Sequence, residues 1–175
     1  MQKRRLAVEA LPGCELEIGR ALWMLVDARD RTRRVLEGVS SSAVDWTATE
    51  GGHSVGTLLY HIAAIELDWL YADVLQQDWP PALAEWFPYD VRDAQGRLTA
   101  VRGESLERLW ARLDTVRTFL LDAYRPMRLD DFRRPRSMTD YDVTPEWVLH
   151  HLCQHEAEHR DELAGLRAGF ERQSV

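Results

Sequence analysis

Cysteine is scarce in this chain: there are two in 175 residues, Cys14 and Cys153, far apart and without a CxxC pairing. That argues against a disulfide framework and points to a reducing compartment. Long apolar runs are missing too. Hydrophobic residues make up 45% of the chain, yet charged residues interrupt every apolar stretch. None approaches the roughly 18 uninterrupted residues that a membrane span needs. Leu11-Pro12-Gly13-Cys14, behind a basic start, has the look of a lipoprotein cleavage site. Glu9 and Pro12 nevertheless break the apolar core of ~7–15 residues that a signal peptide requires. A cytoplasmic protein with no membrane partner is expected. Excess positive charge is also lacking: the formal charge is −7, which disfavours nucleic acid, a partner that rewards clustered Lys and Arg. The short basic runs Lys3-Arg4-Arg5 and Arg133-Arg134-Pro135-Arg136 are mixed with acids and read as solvated surface. There is no internal repeat, low-complexity tract or Gly/Ser linker, so one domain is expected over residues 1–175, long enough to bury a substantial core.

What is present is helical periodicity, in four segments. The first runs from about Cys14 to Val39, with Leu16, Ile18, Leu22, Leu25, Val26 and Val35 among its apolar positions and a polar face laced with Arg and Asp. The second follows Gly51-Gly52-His53, where Ser54 can cap the free amides, and reaches about Leu75. Its Leu58, Ile62, Ile65 and Trp69 recur at helical spacing and should face the core. The third, from about Ser105 to Tyr124, repeats Leu106, Leu109, Leu113, Val116 and Leu120. The fourth opens at Thr144-Pro145-Glu146, a capping Thr followed by Pro at the first helical position and an early acid, and runs to about Gly169. Between the second and third lies a long stretch with Trp79-Pro80-Pro81 and Trp86-Phe87-Pro88-Tyr89, a length that suits a crossover. Weak alternation from Phe132 to Val143 allows a short hairpin before the fourth helix. The expected fold is an all-α four-helix bundle.

The histidines carry the chemistry. His155 and His159 are four apart, so they stand one turn apart on one face of the fourth helix, as two imidazoles must to share an ion. His151 lies one turn further back on that face, and Glu162 falls close to the His155 azimuth, within outer-sphere reach of either histidine. His61 is isolated amid Leu58, Leu59, Ile62 and Ile65, where an unpartnered imidazole would have to be desolvated. The plainer alternative is a core histidine bonded to a backbone carbonyl or to Asp68, two turns along. If the second and fourth helices face each other, His61 completes a three-histidine set. Three neutral imidazoles suit Zn, Ni, Fe or Cu and leave positions open for water or substrate. Haem fits less well, since a one-turn pair suits a compact ion.

His61 within Leu58-Leu59-Tyr60-His61-Ile62-Ala63, then Trp69, and later Trp147-Val148-Leu149-His150-His151 through His155-Glu156-Ala157-Glu158-His159-Arg160 resemble the DinB-like superfamily of four-helix metalloproteins. The likeness spans nearly the whole chain. That family commonly reads His-Glu-x-x-His-Arg-Gly-Gln in the last helix; here Asp161 and Glu162 stand where Gly and Gln are usual. The resemblance implies a metal triad of His61, His155 and His159, a divalent ion (Zn or Ni first, then Fe or Mn) and a reaction of the thiol-transferase or isomerase kind. The family is functionally broad, so the fold alone decides little about chemistry.

The expected activity is conjugation of a low-molecular-weight thiol to an electrophilic small molecule. Asp68, His151 and Glu162 are candidates for orienting or proton-transferring roles, each with the plainer reading of a surface charge or satisfied polar group. Arg160 could grip a substrate carboxylate or form a structural ion pair. Neither cysteine is placed as the protein's own nucleophile, because Cys153 is rotated about half a turn from His155 and Cys14 lies outside the motif. A metal-dependent hydrolase and a non-catalytic, stress-associated metal-binding protein are the alternatives. Trp23, Trp46, Trp69, Trp110 and Trp147 read as core, and Trp79 and Trp86 as the lining of a pocket mouth or a homodimer contact.

Overall fold

Ser54 and Ser105 start two of the long helices as their side chains permit: each hydroxyl accepts a hydrogen bond, at 3.1 Å, from an amide three residues on, Thr57 and Arg108. Thr144 does the same for Trp147, with Pro145 at the first helical position. The computed structural model, which describes residue 3 and residues 5–173, accordingly contains α1 (Leu16–Val35), α2 (Val55–Asp68), α3 (Leu106–Tyr124), the single turn α4 (Leu129–Phe132) and α5 (Pro145–Gln173). The expected hairpin is present, as β1 (Arg136–Ser137) paired antiparallel with β2 (Asp142–Val143). The protein is all-α apart from this ribbon. Helix α1 packs along α5, and α2 packs against both α3 and α5. Leu22 and Leu25, Leu58 and Ile62, Leu113 and Val116, and Val148 and Leu152 meet in one buried apolar cluster drawn from the four long helices. No helix among the described residues is long and apolar enough to cross a membrane.

Three boundaries differ from the periodicity. Helix α1 stops at Val35, short of Val39, and the chain turns through Gly38 at φ +76°, a conformation glycine adopts without strain. Helix α5 continues past Gly169 to Gln173. Trp46 lies across that glycine so closely that a Cβ there would meet its ring at 2.7 Å, so the absent side chain makes room for the indole. Helix α2 keeps α geometry only to Asp68; Trp69–Leu75 continues as wider π-helical turns and ends on Gln76 in the left-handed region. Trp69, like Ile65 one turn before it, is half-buried and packs against the edge of the apolar cluster. None of the five tryptophans expected in the core is fully buried, and Trp147 is 46% exposed.

The arginines hold the larger surprise. Arg29 sits on what reads as the solvated face of α1, yet it is 4% exposed. Its guanidinium donates to Glu156 Oε1 at 2.7 Å and to Glu66 Oε2 at 2.8 Å. Arg117 donates to the same two carboxylates, at 2.6 and 3.0 Å to Glu66 and 3.2 Å to Glu156. Each of α1, α2, α3 and α5 thus contributes one charge to a buried, formally neutral quartet. The Nη1 atoms of Arg29 and Arg117 donate to the carbonyls of Leu113 and Leu25, respectively. Burial pushes the Glu66 carboxyl up, but Arg117 and Arg29 outweigh it and hold its pKa below the ordinary value.

Candidate metal centre

Helices α2 and α5 lie face to face, so the one imidazole of α2 meets the histidine stripe of α5. His61 is 5% exposed. Its Nε2 lies 3.1 Å from His155 Nε2, which lies 3.1 Å from His159 Nε2. Ring planes inclined by 60° to 88° let all three nitrogens aim at one region. Two nitrogens each ~2.1 Å from a single ion stand about 3.0–3.4 Å apart at ordinary bond angles, so the observed separations suit shared coordination. The three are positioned to hold a metal ion.

Protons are kept off two of these rings, His61 and His155. Burial first, then the charges of His159, Arg92 and His53, push the His61 pKa down to about 4. Burial first, then His159, His61 and His151, push His155 to about 3. Neutral imidazole is the metal-binding form. The alternative of a core histidine bonded to Asp68 or to a carbonyl is not met: His61 Nδ1 is buried without a hydrogen-bond partner. The third ring is anchored from outside, His159 Nδ1 lying 2.9 Å from Glu162 Oε1, the outer support that fixes a ligating imidazole.

Of the other candidates, Glu162 therefore touches the cluster directly. His151 stands behind it, with its ring centroid 5.9 Å from that of His155, packed against Trp69 at 4.8 Å and stacked on Trp147 at 5.1 Å. Asp68 lies exposed at the end of α2, away from His61. Arg160 enters no ion pair among the described residues, contrary to its structural reading. Cys153 faces away, in a small cleft with Ala21, Met24 and His150. Trp79 packs edge-on to Phe87, and Trp86 stacks under Arg108. His53, by contrast, escaped the spacing argument: its Nδ1 lies 3.6 Å from Glu162 Oε2, brought there by the loop before α2. Only the tally of histidines could have flagged it.

These features describe a helical protein with a three-histidine site on two facing helices. A sequence profile of the DinB superfamily matches residues 24–163, which include all three histidines, and the chain belongs to that superfamily. No curated protein matches the chain.

The depressed histidines give a signed expectation for the metal-free protein. Unfolded, His61 and His155 return to about 6.5 and take up protons that the native state refuses, so stability falls as pH drops from 6.5 toward 4. His151, also lowered, acts in the same direction. Urea unfolding of chelated protein at pH 7 and pH 5 reads this as a lower midpoint at pH 5. An unchanged midpoint would contradict the burial of the cluster.

Proposed function

We propose that this protein is a metal-dependent transferase that joins a low-molecular-weight thiol, such as bacillithiol, mycothiol or glutathione, to an electrophilic small molecule. The observation that carries the reading is a three-histidine cluster, buried at His61 and half-buried at His155 and His159, with no protein thiol beside it. Cys153 is turned into its own cleft, and burial pushes its thiol up to about 11, leaving little thiolate at neutral pH. Cys14 lies in the turn before α1, its thiol 3.8 Å from the Pro12 carbonyl oxygen. The nucleophilic sulfur therefore arrives with a substrate, and a reducing compartment suits it.

His61, His155 and His159 would hold a divalent ion, which when bound would supply positive charge favouring deprotonation of a thiol. The chain's own residues do the rest. His61 and His155, kept neutral by burial, present lone pairs rather than protons. Glu162 orients His159 and, with its other oxygen toward His53, is the carboxylate to which this reading gives the proton leaving sulfur. As the new S–C bond forms, the electrophile's leaving group departs with its electron pair. Incubating metal-loaded protein with a reactive electrophile, with and without a panel of bacterial thiols, tests this. Turnover is expected only with a thiol present, and the conjugate should be detected by mass spectrometry. Thiol-independent turnover that releases a hydrolysed product overturns the transferase in favour of the hydrolase. No turnover across the panel overturns it in favour of a metal-binding protein without catalysis.

A further inference from the structure

The last α-helical turn of α2 places Trp69 beside the hairpin and the start of α5, where its ring lies 5.5 Å from that of Trp147 and 6.2 Å from that of Tyr141. The three rings, with Val143 and Thr144, wall a cleft of about 410 Å³. Trp147 and Tyr141 remain 46% and 48% exposed. Aromatic faces of that size left open to water mark a binding surface more often than a packing accident.

The surroundings carry one sign of charge. Asp142 lines the cleft. Asp73 accepts a hydrogen bond from the Tyr141 hydroxyl at 2.6 Å, fixing that ring upright. That bond first, then partial burial and the charges of Asp73, Asp68 and Asp140, push the phenol up to about 12. The field of several carboxylates thus converges here. None of Asp68, Asp73, Asp140 and Asp142 enters an ion pair among the described residues, whereas nearby Asp131 is paired with both Arg134 and Arg136. Arg136, the guanidinium at the root of the hairpin, is buried and committed to Asp131 and to the carbonyls of Val74, Asp131 and Arg134. It does not neutralise the rim.

Electron-rich ring faces with uncompensated carboxylates around them favour one kind of occupant. A neutral apolar ligand would use the walls and ignore the field; an anion would be repelled by it. We infer that this cleft binds an organic cation, an alkylated ammonium group on an apolar body, with the cation held over the Trp69, Trp147 and Tyr141 faces. Cation–π attraction and the carboxylate field act in the same direction there. The His151 ring lies between the cleft's aromatic walls and the three-histidine cluster, packed against Trp69 and Trp147 with its centroid 5.9 Å from that of His155. The occupant is accordingly one substrate of the reaction proposed above, and that last step rests on the transferase reading; the cation site itself does not.

Choline and its neutral carbon isostere 3,3-dimethyl-1-butanol differ in charge and hardly in shape, so they separate the two contributions. Titrating each into metal-free protein, with the indole N–H signals of Trp69 and Trp147 followed by NMR, should show choline binding about tenfold tighter than the isostere. Trp147→Leu, at a half-exposed position, should weaken choline by a similar factor, and Asp142→Asn should weaken choline while leaving the isostere unchanged. Equal binding of the two probes, no binding of either, or indifference to Trp147→Leu would overturn the inference. The same titration on His155→Ala keeps it apart from the metal reading, since choline binding should survive there whether or not metal does.

Discussion

Arg117→Met is expected to destabilise the protein by about 3–5 kcal/mol, the usual cost of removing one partner from a buried ionic network. The reason lies in the charge balance of the quartet. Glu66 and Glu156, each 2% exposed or less, share two guanidinium groups, and without Arg117 one buried negative charge is left uncompensated. Hydrophobic burial does not offset this, because Met fills most of the space but satisfies neither carboxylate. Equilibrium urea unfolding measures the change directly, and a loss under about 1 kcal/mol would mean that water or local rearrangement solvates the site. Acid should mimic the variant. Since the Glu66 pKa lies below its ordinary 4.5, its contribution is complete above that value and fades as pH falls through the lower folded value. Replacing all four residues with apolar side chains of similar volume should recover much of the loss.

That quartet also marks where the sequence stops being legible. The long helices announced themselves because apolar residues at helical spacing have one stable arrangement, and Ser54, Ser105 and Thr144 signalled three of the starts. His155 and His159 were legible for the same local reason, four residues being one turn. Arg29, Arg112 and Arg117 were not. On a helix an arginine reads as solvated surface, and only the placement of a carboxylate on another helix allows its burial: Glu66 lies 37 residues from Arg29, and Glu156 lies 127 away. Arg112, with no exposed surface, similarly depends on Glu104 and the carbonyl of Trp86 in the crossover. The π turns after Asp68 left no periodic trace either, because seven residues are too few to distinguish a period of 3.6 from a wider one. Trp69, assigned to the core by its spacing from Leu58, does pack against the apolar cluster, but it is half-buried and its ring also meets Trp147 and Tyr141, contacts that spacing along one helix cannot foretell. His53 lies in a loop, where spacing predicts nothing about what it will touch.

His155→Ala is expected to abolish stoichiometric metal binding. Of the three rings it is the central one, its Nε2 lying 3.1 Å from both of the others. Removing it leaves only His61 and His159, two ligands from different helices where three converged. The affinity loss should exceed the ~10–100-fold typical of an outer-sphere partner, and Glu162→Gln, which only loosens the anchor on His159 Nδ1, supplies that milder comparison. His151→Ala should keep a full equivalent, because its ring packs behind His155 rather than joining the convergent nitrogens. Metal analysis of untagged protein after dialysis reads all three variants, and a full equivalent retained by His155→Ala would refute the triad. The fold should not follow the metal. Small zinc domains unfold on chelation because the ion replaces a core they lack. Here a continuous apolar cluster and the four-helix charge quartet stand independently of the three imidazoles. Circular dichroism after chelation should keep its helical minima at neutral pH. A coil spectrum would instead show that His61, unpartnered at Nδ1 in the α2 core, needs the ion to offset its burial, and that the site is structural first.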